Sequence, residues 1–158
     1  MTTTNFPNGI SVSGVTFQPQ WQVETVTATF AGGTSNGRGD SAGTGNPATL
    51  FTVTGDVLVY ILAKCTTLLA GATATLEVGV TGNTAALIAQ TTATDIDAGE
   101  VWRDTGPAVG AETINGAFMI VDGLDIIETT GTADITSGGL TYYCMWYPLS
   151  SDGDVTAA

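Results

Sequence analysis

Trp21-Gln22-Val23-Glu24-Thr25-Val26-Thr27-Ala28-Thr29-Phe30 is the stretch whose reading decides the fold. With a period of two, Trp21, Val23, Thr25, Thr27 and Thr29 fall on one face and Gln22, Glu24, Val26, Ala28 and Phe30 on the other. Thr and Val branch at Cβ, which suits a pleated surface better than a helix. A strand over 21–30 is therefore expected.

Downstream, residues 31–48 hold six glycines and no large apolar side chain. Such a loop has nothing apolar to bury against the entropy of ordering, so it reads as mobile or as ordered by a partner. Strands then follow quickly: Leu50 to Thr54, Val57 to Ala63, Thr73 to Val80, Ala86 to Ala89 and the short Val101-Trp102. Val57 to Ala63 is apolar on both faces, as in a central strand of a sandwich. Thr73 to Val80 points Ala74, Leu76, Val78 and Val80 inward. Thr66-Thr67-Leu68-Leu69-Ala70-Gly71 reads as one helical turn or as a loop. Asn115-Gly116 and Asp122-Gly123 are hairpin signals, the second between Ala117–Val121 and Leu124–Thr130. Leu140 to Tyr147 closes the series, with aromatics on both faces, which marks it as central or as covered by a partner. About nine or ten short strands, with turns every eight to twelve residues, make a β-sandwich of jelly-roll type. Upstream, residues 1–20 read as an extended N-terminal arm, with apolar beads at Phe6, Ile10, Val12, Val15 and Phe17. The arm is either a terminal strand or a segment that buries its beads on a neighbouring subunit. The expected organisation is an arm over 1–20 and one sandwich domain over 21–158.

Composition narrows the function. The 158 residues are 43% hydrophobic, enough for a core, and only 11% charged. Fifteen acids face three bases and no histidine, for a net charge of -12. Nucleic-acid binding would need a basic stripe, and only Arg38, Lys64 and Arg103 are basic. Catalysis or metal binding through histidine is excluded. The longest apolar run, Val57 to Ala63, ends at Lys64, far short of the ~18 residues of a membrane span. Thr2-Thr3-Thr4-Asn5 lacks the basic and apolar regions of a secretory signal, so the expected site of synthesis is a reducing cytoplasm. Cys65 and Cys144 then read as reduced, buried small hydrophobes or as one disulfide between neighbouring strands.

Several motifs bear on chemistry. Gly39-Asp40-Ser41-Ala42-Gly43 fits the G-x-S-x-G nucleophile elbow, but the chemistry needs a base for the serine proton and a strand-turn-helix setting. Arg38-Gly39-Asp40 is the tripeptide of integrin ligands, placed on a loop expected to be exposed. Asp95-x-Asp97-x-Gly99-Glu100 resembles a calcium loop, with glycine at the fifth position where a ligand belongs. Trp21, Trp102 and Trp146 could form a sugar-stacking platform or, as in most strands, pack a core or a subunit contact. No catalytic, cofactor-binding or metal-ligating residue emerges, and the expectation is a non-enzyme with no cofactor.

Met1-Thr2-Thr3-Thr4-Asn5-Phe6-Pro7-Asn8-Gly9-Ile10 resembles the start of small virion proteins of tailed bacteriophages. The Thr/Gly/Ala-rich, acidic, histidine-free style continues to the aromatic strand and Tyr147-Pro148-Leu149-Ser150-Ser151-Asp152-Gly153. The chain is similar in this to capsid decoration (cement) and head-fibre proteins. That resemblance implies a β-rich structural virion protein which braces the outer capsid surface, usually as a homotrimer. Its partners would be the major capsid protein and its own copies, with no nucleic acid and no membrane. It would be assembled in the host cytoplasm. Within that expectation Phe6, Ile10 and Val12 are the candidate capsid contacts, and Arg38, Gly39 and Asp40 the candidate exposed loop. The rival reading is a carbohydrate- or receptor-binding module on a virion or cell surface, with the aromatics or the Arg38 loop as its site.

Overall fold

Alternation along the chain becomes two antiparallel sheets packed face to face. The computed structural model describes residues 10–12, 15–17, 20–33, 36–104, 106–110 and 116–158. In chain order the strands are β1 (Ile10–Val12), β2 (Val15–Phe17), β3 (Gln22–Thr29), β4 (Ala48–Thr54), β5 (Val57–Ala70), β6 (Thr75–Val80) and β7 (Asn83–Thr92). After a 3-10 turn (Ala93–Asp95) come β8 (Val101–Arg103), β9 (Gly106–Ala108), β10 (Phe118–Ile120), β11 (Ile126–Gly131), β12 (Ser137–Pro148) and β13 (Asp154–Ala157).

The first sheet runs β3-β12-β5-β8-β9, with β10 also on β5. The second runs β13-β4-β11-β6-β7. Take β3, β4, β5, β6, β7, β8, β11 and β12 as first to eighth. One sheet then holds the first, eighth, third and sixth, and the other the second, seventh, fourth and fifth. That order is the double-sheet jelly roll, as the strand spacing led us to expect. β1 and β2 pair only with each other among the described residues, Ile10 opposite Phe17 and Val12 opposite Val15. The described part of the arm, expected to be extended, is thus a pair of short antiparallel strands.

The core lies between the sheets. From the first sheet come Val57, Val59, Ile61 and Ala63 of β5, Tyr142, Cys144 and Trp146 of β12, and Trp102 of β8. Opposite them stand Leu50, Phe51 and Val53 of β4, Leu76 and Val78 of β6, and Ile126 of β11. Each large aliphatic or aromatic side chain buried there contributes roughly 1.5–3 kcal/mol. Period two therefore fixes which half of each strand faces inward, and by elimination what the outer faces show.

Two local expectations are corrected, and an alternative left open for the cysteines is decided. The stretch after Cys65 is neither helical turn nor loop: β5 continues to Ala70, its register on β12 shifting near Gly139. Asp122-Gly123 does make a tight turn with both φ angles positive, at 58° and 66°. Its flanking strands do not pair with each other, because β10 joins β5 in one sheet and β11 joins β4 and β6 in the other. Cys65 and Cys144 are both free. They lie on paired strands, but Cys65 opposes Leu140 while Cys144 opposes Ile61. Four residues of strand, roughly 13 Å, separate them, beyond the reach of a disulfide.

Candidate functional site

β3, β12 and β5 lie side by side, so their outward residues make one surface. β3 presents Val23, Thr25 and Thr27; β12 presents Thr141, Tyr143, Met145 and Tyr147; β5 presents Leu58, Tyr60 and Leu62. Register brings Val23, Met145 and Tyr60 into one row across the strands. Trp21, at the entry to β3, leans over that row, its ring 5.8 Å from that of Tyr60 and 6.0 Å from that of Tyr147. Met119 of β10, opposite Leu58, extends the surface at the β5 edge. None of these outward positions carries a charge; Lys64 stands opposite Thr141, and Arg103 and Asp104 lie beside Tyr60 and Leu62.

Trp21 is 48%, Val23 56% and Met119 61% exposed, while Leu58, Tyr60, Leu62, Tyr143, Met145 and Tyr147 are half-buried. An isolated apolar residue on a surface is ordinary, but a contiguous apolar patch marks a contact site. The outer face of the second sheet differs in kind. It carries Thr52 and Thr54, Glu77 bonded to Gln90, and Asp154. The outer face of the first sheet borders a small hollow. The hollow at its margin, lined by Tyr60, Leu62, Arg103, Asp104 and Phe118, has a volume of about 10 Å³, no more than one water needs.

Comparison with family models, curated proteins and solved structures returns no match for the chain. The reading of the site therefore rests on its own residues.

The Arg38-Gly39-Asp40 loop is not the solvated tip expected of it. Arg38 turns inward and donates from Nε and Nη2 to the two carboxylate oxygens of Glu128, at 3.0 and 3.2 Å. Glu128 is only 2% exposed, and Tyr142 donates to it from the opposite sheet at 2.5 Å. Gly39 is buried with φ at 93°, and a Cβ there would come within 2.6 Å of the Ile135 carbonyl oxygen. Asp40 accepts from the Ala42 amide and closes its own turn. The remainder of the loop is tied by polar bonds. Ser41 donates through N–H and Oγ to Asp134, holding that carboxyl below its usual range. The Asn46 side chain donates to the Thr130 carbonyl and accepts from its N–H, completing β11 as a strand neighbour would. Anchoring comes from hydrogen bonds and one ion pair, a route that a count of apolar residues overlooks. Arg38 is therefore expected to resist trypsin in the native chain, and rapid cleavage after Arg38 without global unfolding would contradict the anchoring.

Of the other candidates, Ser41 of the elbow motif donates its hydroxyl to Asp134, a carboxylate held below its usual range and so a weak base. Glu100 of the calcium-like loop accepts from the Asp97 amide within its own turn. Among the described residues no group of three or more His, Cys, Asp or Glu could hold a metal ion, and no helix is long and apolar enough to cross a membrane. Trp102 and Trp146 are core residues, so the three tryptophans form no common platform and Trp21 alone is at the surface. Ile10 and Val12 fall in β1, and Phe6 lies outside the described residues. Sequence reading sorted the β3 residues onto two faces correctly. It had no signal for which face would be outer, and so missed Trp21 and Val23 as the centre of a surface.

Proposed function

We propose that this protein is a structural virion protein that decorates and stabilises the outer surface of a bacteriophage capsid as a homo-oligomer. The observation that carries the reading is the contiguous apolar face of β3, β12 and β5 on an otherwise acidic jelly roll. A face of that kind serves contact between protein surfaces, where charges are depleted from the centre. The likeness of the chain's opening and its Thr/Gly/Ala-rich, acidic style to decoration and head-fibre proteins supplies the setting. A net charge of -12 favours the outer surface, because packaged DNA repels it. Phe6, Ile10 and Val12 remain the proposed capsid contacts. Each would contribute roughly 1.5–3 kcal/mol if fully buried on the capsid, and several copies held together would add avidity.

The test adds purified protein to undecorated expanded capsids and to immature shells and sediments both. Co-sedimentation with either is expected, and it should be lost when Phe6, Ile10 and Val12 are all replaced by serine. Folded protein that pellets with neither shell refutes the proposal. A glycan- or receptor-binding module is the second reading, favoured by the exposure of Trp21 beside Tyr60 and Tyr147. Glycan binding abolished by Trp21→Ala would establish it; buried Trp102 is the wrong residue for that test.

A further inference from the structure

We propose that residues 36–46 form a clasp that acid unlocks: the carboxylates of Glu128 and Asp134 hold it shut, and loss of their charge lets it swing off a sandwich that stays folded. The inference is independent of the decoration reading.

The holds on the clasp are polar. Between Asn36 and Asn46 there is no large apolar side chain, so the core has no grip on this segment. Its side-chain links to the sandwich run to β11 and to the turn that follows β11. Arg38 reaches both carboxylate oxygens of Glu128, at 3.0 and 3.2 Å. Ser41 donates twice to Asp134, each time at 2.8 Å, and the Asn46 side chain pairs with the Thr130 backbone. Two backbone bonds complete the closure, from the Ala31 and Ile135 N–H groups to the carbonyls of Arg38 and Gly39. Two of the three side-chain links therefore end on a carboxylate, and the Asn46 link alone is neutral.

What faces each carboxylate decides how the clasp responds. Glu128 points between the sheets at 2% exposure. It meets the Arg38 guanidinium from the clasp and the Tyr142 hydroxyl from β12, while its register neighbours, Ala48 on β4 and Val78 on β6, carry no charge. Neutralising Glu128 leaves the guanidinium without a counter-ion, and Arg38, already 23% exposed, regains water by moving outward. Asp134 meets the Ser41 N–H and hydroxyl, which hold its carboxyl below its usual 3.8. Those bonds favour the charged form, so their hold is complete above 3.8 and fades as the pH falls through the lowered value. Asp40, the clasp's own acid, bonds to the Ala42 amide inside its own turn. Among the described buried residues Glu128 is the sole carboxylate, so the apolar core offers acid no second target. Clasp and sandwich are thus two units of unequal acid stability.

Amide hydrogen exchange on the full chain, read as protection factors at descending pH, follows both units. The N–H groups of Ser41, Thr130 and Ile135, which close the clasp, should lose protection at a higher pH than those of Tyr60 and Cys144 in the first sheet. Neutral mimics should give the same opening without acid. Glu128→Gln combined with Asp134→Asn should speed tryptic cleavage after Arg38 at neutral pH by on the order of 100-fold, about tenfold for each weakened link, with the circular dichroism of the native chain. Asp154→Asn, on the second sheet, should leave cleavage unchanged. Clasp and sandwich amides that lose protection at one and the same pH overturn the inference. So does a clasp that outlasts the sandwich, and so does a folded double variant as resistant to trypsin as the native chain. If the double variant does not fold, the exchange series on the native chain decides alone.

Discussion

Replacing Arg38 with alanine is expected to destabilise the fold by about 3 kcal/mol, more than any other surface substitution on this chain. Arg38 neutralises a carboxylate that water cannot reach, because Glu128 sits between the sheets at 2% exposure. Without the guanidinium, Glu128 keeps only the Tyr142 hydroxyl, and a buried charge left without its partner costs 3–5 kcal/mol. The low end applies, since the Arg38 side chain is itself 23% exposed and its removal admits some water. The asymmetry of the pair is part of the expectation. Glu128→Gln leaves Arg38 at the surface, where water solvates it, and should cost about 1 kcal/mol. Replacing the set together, with leucine at 38 and 128 and phenylalanine at 142, should recover most of the loss, because a buried ion pair rarely outperforms an apolar substitute. Urea denaturation of the single and triple variants measures all three. Equal losses for Arg38→Ala and Glu128→Gln would show that the pair behaves as an ordinary surface salt bridge.

That network also marks where sequence reading stops. Alternation sorted Trp21–Phe30 onto two faces and gave Thr73–Val80 its inward residues, because period two is a local property. The aromatic run at 140–147 was legible, from bulk on both faces, as a strand that is central or covered by a partner, and it lies between β3 and β5. Arg38 and Glu128 are 90 residues apart, and nothing local to either announces the other. Their loop looked unanchored because its anchors are polar and distant: Asp134 for Ser41 and Thr130 for Asn46. Asp122-Gly123 illustrates a further limit. A dipeptide specifies the handedness of a turn, and tertiary packing decides whether the strands leaving it stay in one sheet. β13 escaped notice because it is short and Val155 is its one buried residue. The apolar face was half legible. Its residues were sorted together, but only the packed second sheet determines which side of β3 is left for solvent.

Raising the pH above 9 is expected to unfold the chain progressively, with Cys144 as a principal cause. Burial between the sheets, reinforced by the charge of Glu24, pushes the Cys144 thiol from its ordinary 9.0 to about 12. Burial also raises Cys65, opposed by the bond to Thr67 and aided by Asp97 and Glu100. The unfolded chain releases the Cys144 proton near 9 and the folded chain keeps it to about 12. Stability from this group is therefore complete below 9 and falls through the interval up to about 12, at about 1.4 kcal/mol per pH unit. By the top of the interval the loss from Cys144 is about 4 kcal/mol, a large part of the 5–15 kcal/mol that holds a typical domain together. Tyr142, raised well above 10.0 by burial and by the charge of Glu128, adds its own loss only above 10.0. The interval between 9.0 and 10.0 thus isolates the thiols. Cys144→Ala should be less stable than the native chain at neutral pH through the small cavity it leaves. Its stability should nevertheless fall less steeply across that interval, since one proton fewer is released on unfolding. Denaturant titrations at successive pH values give both slopes, and identical slopes would remove Cys144 as a cause.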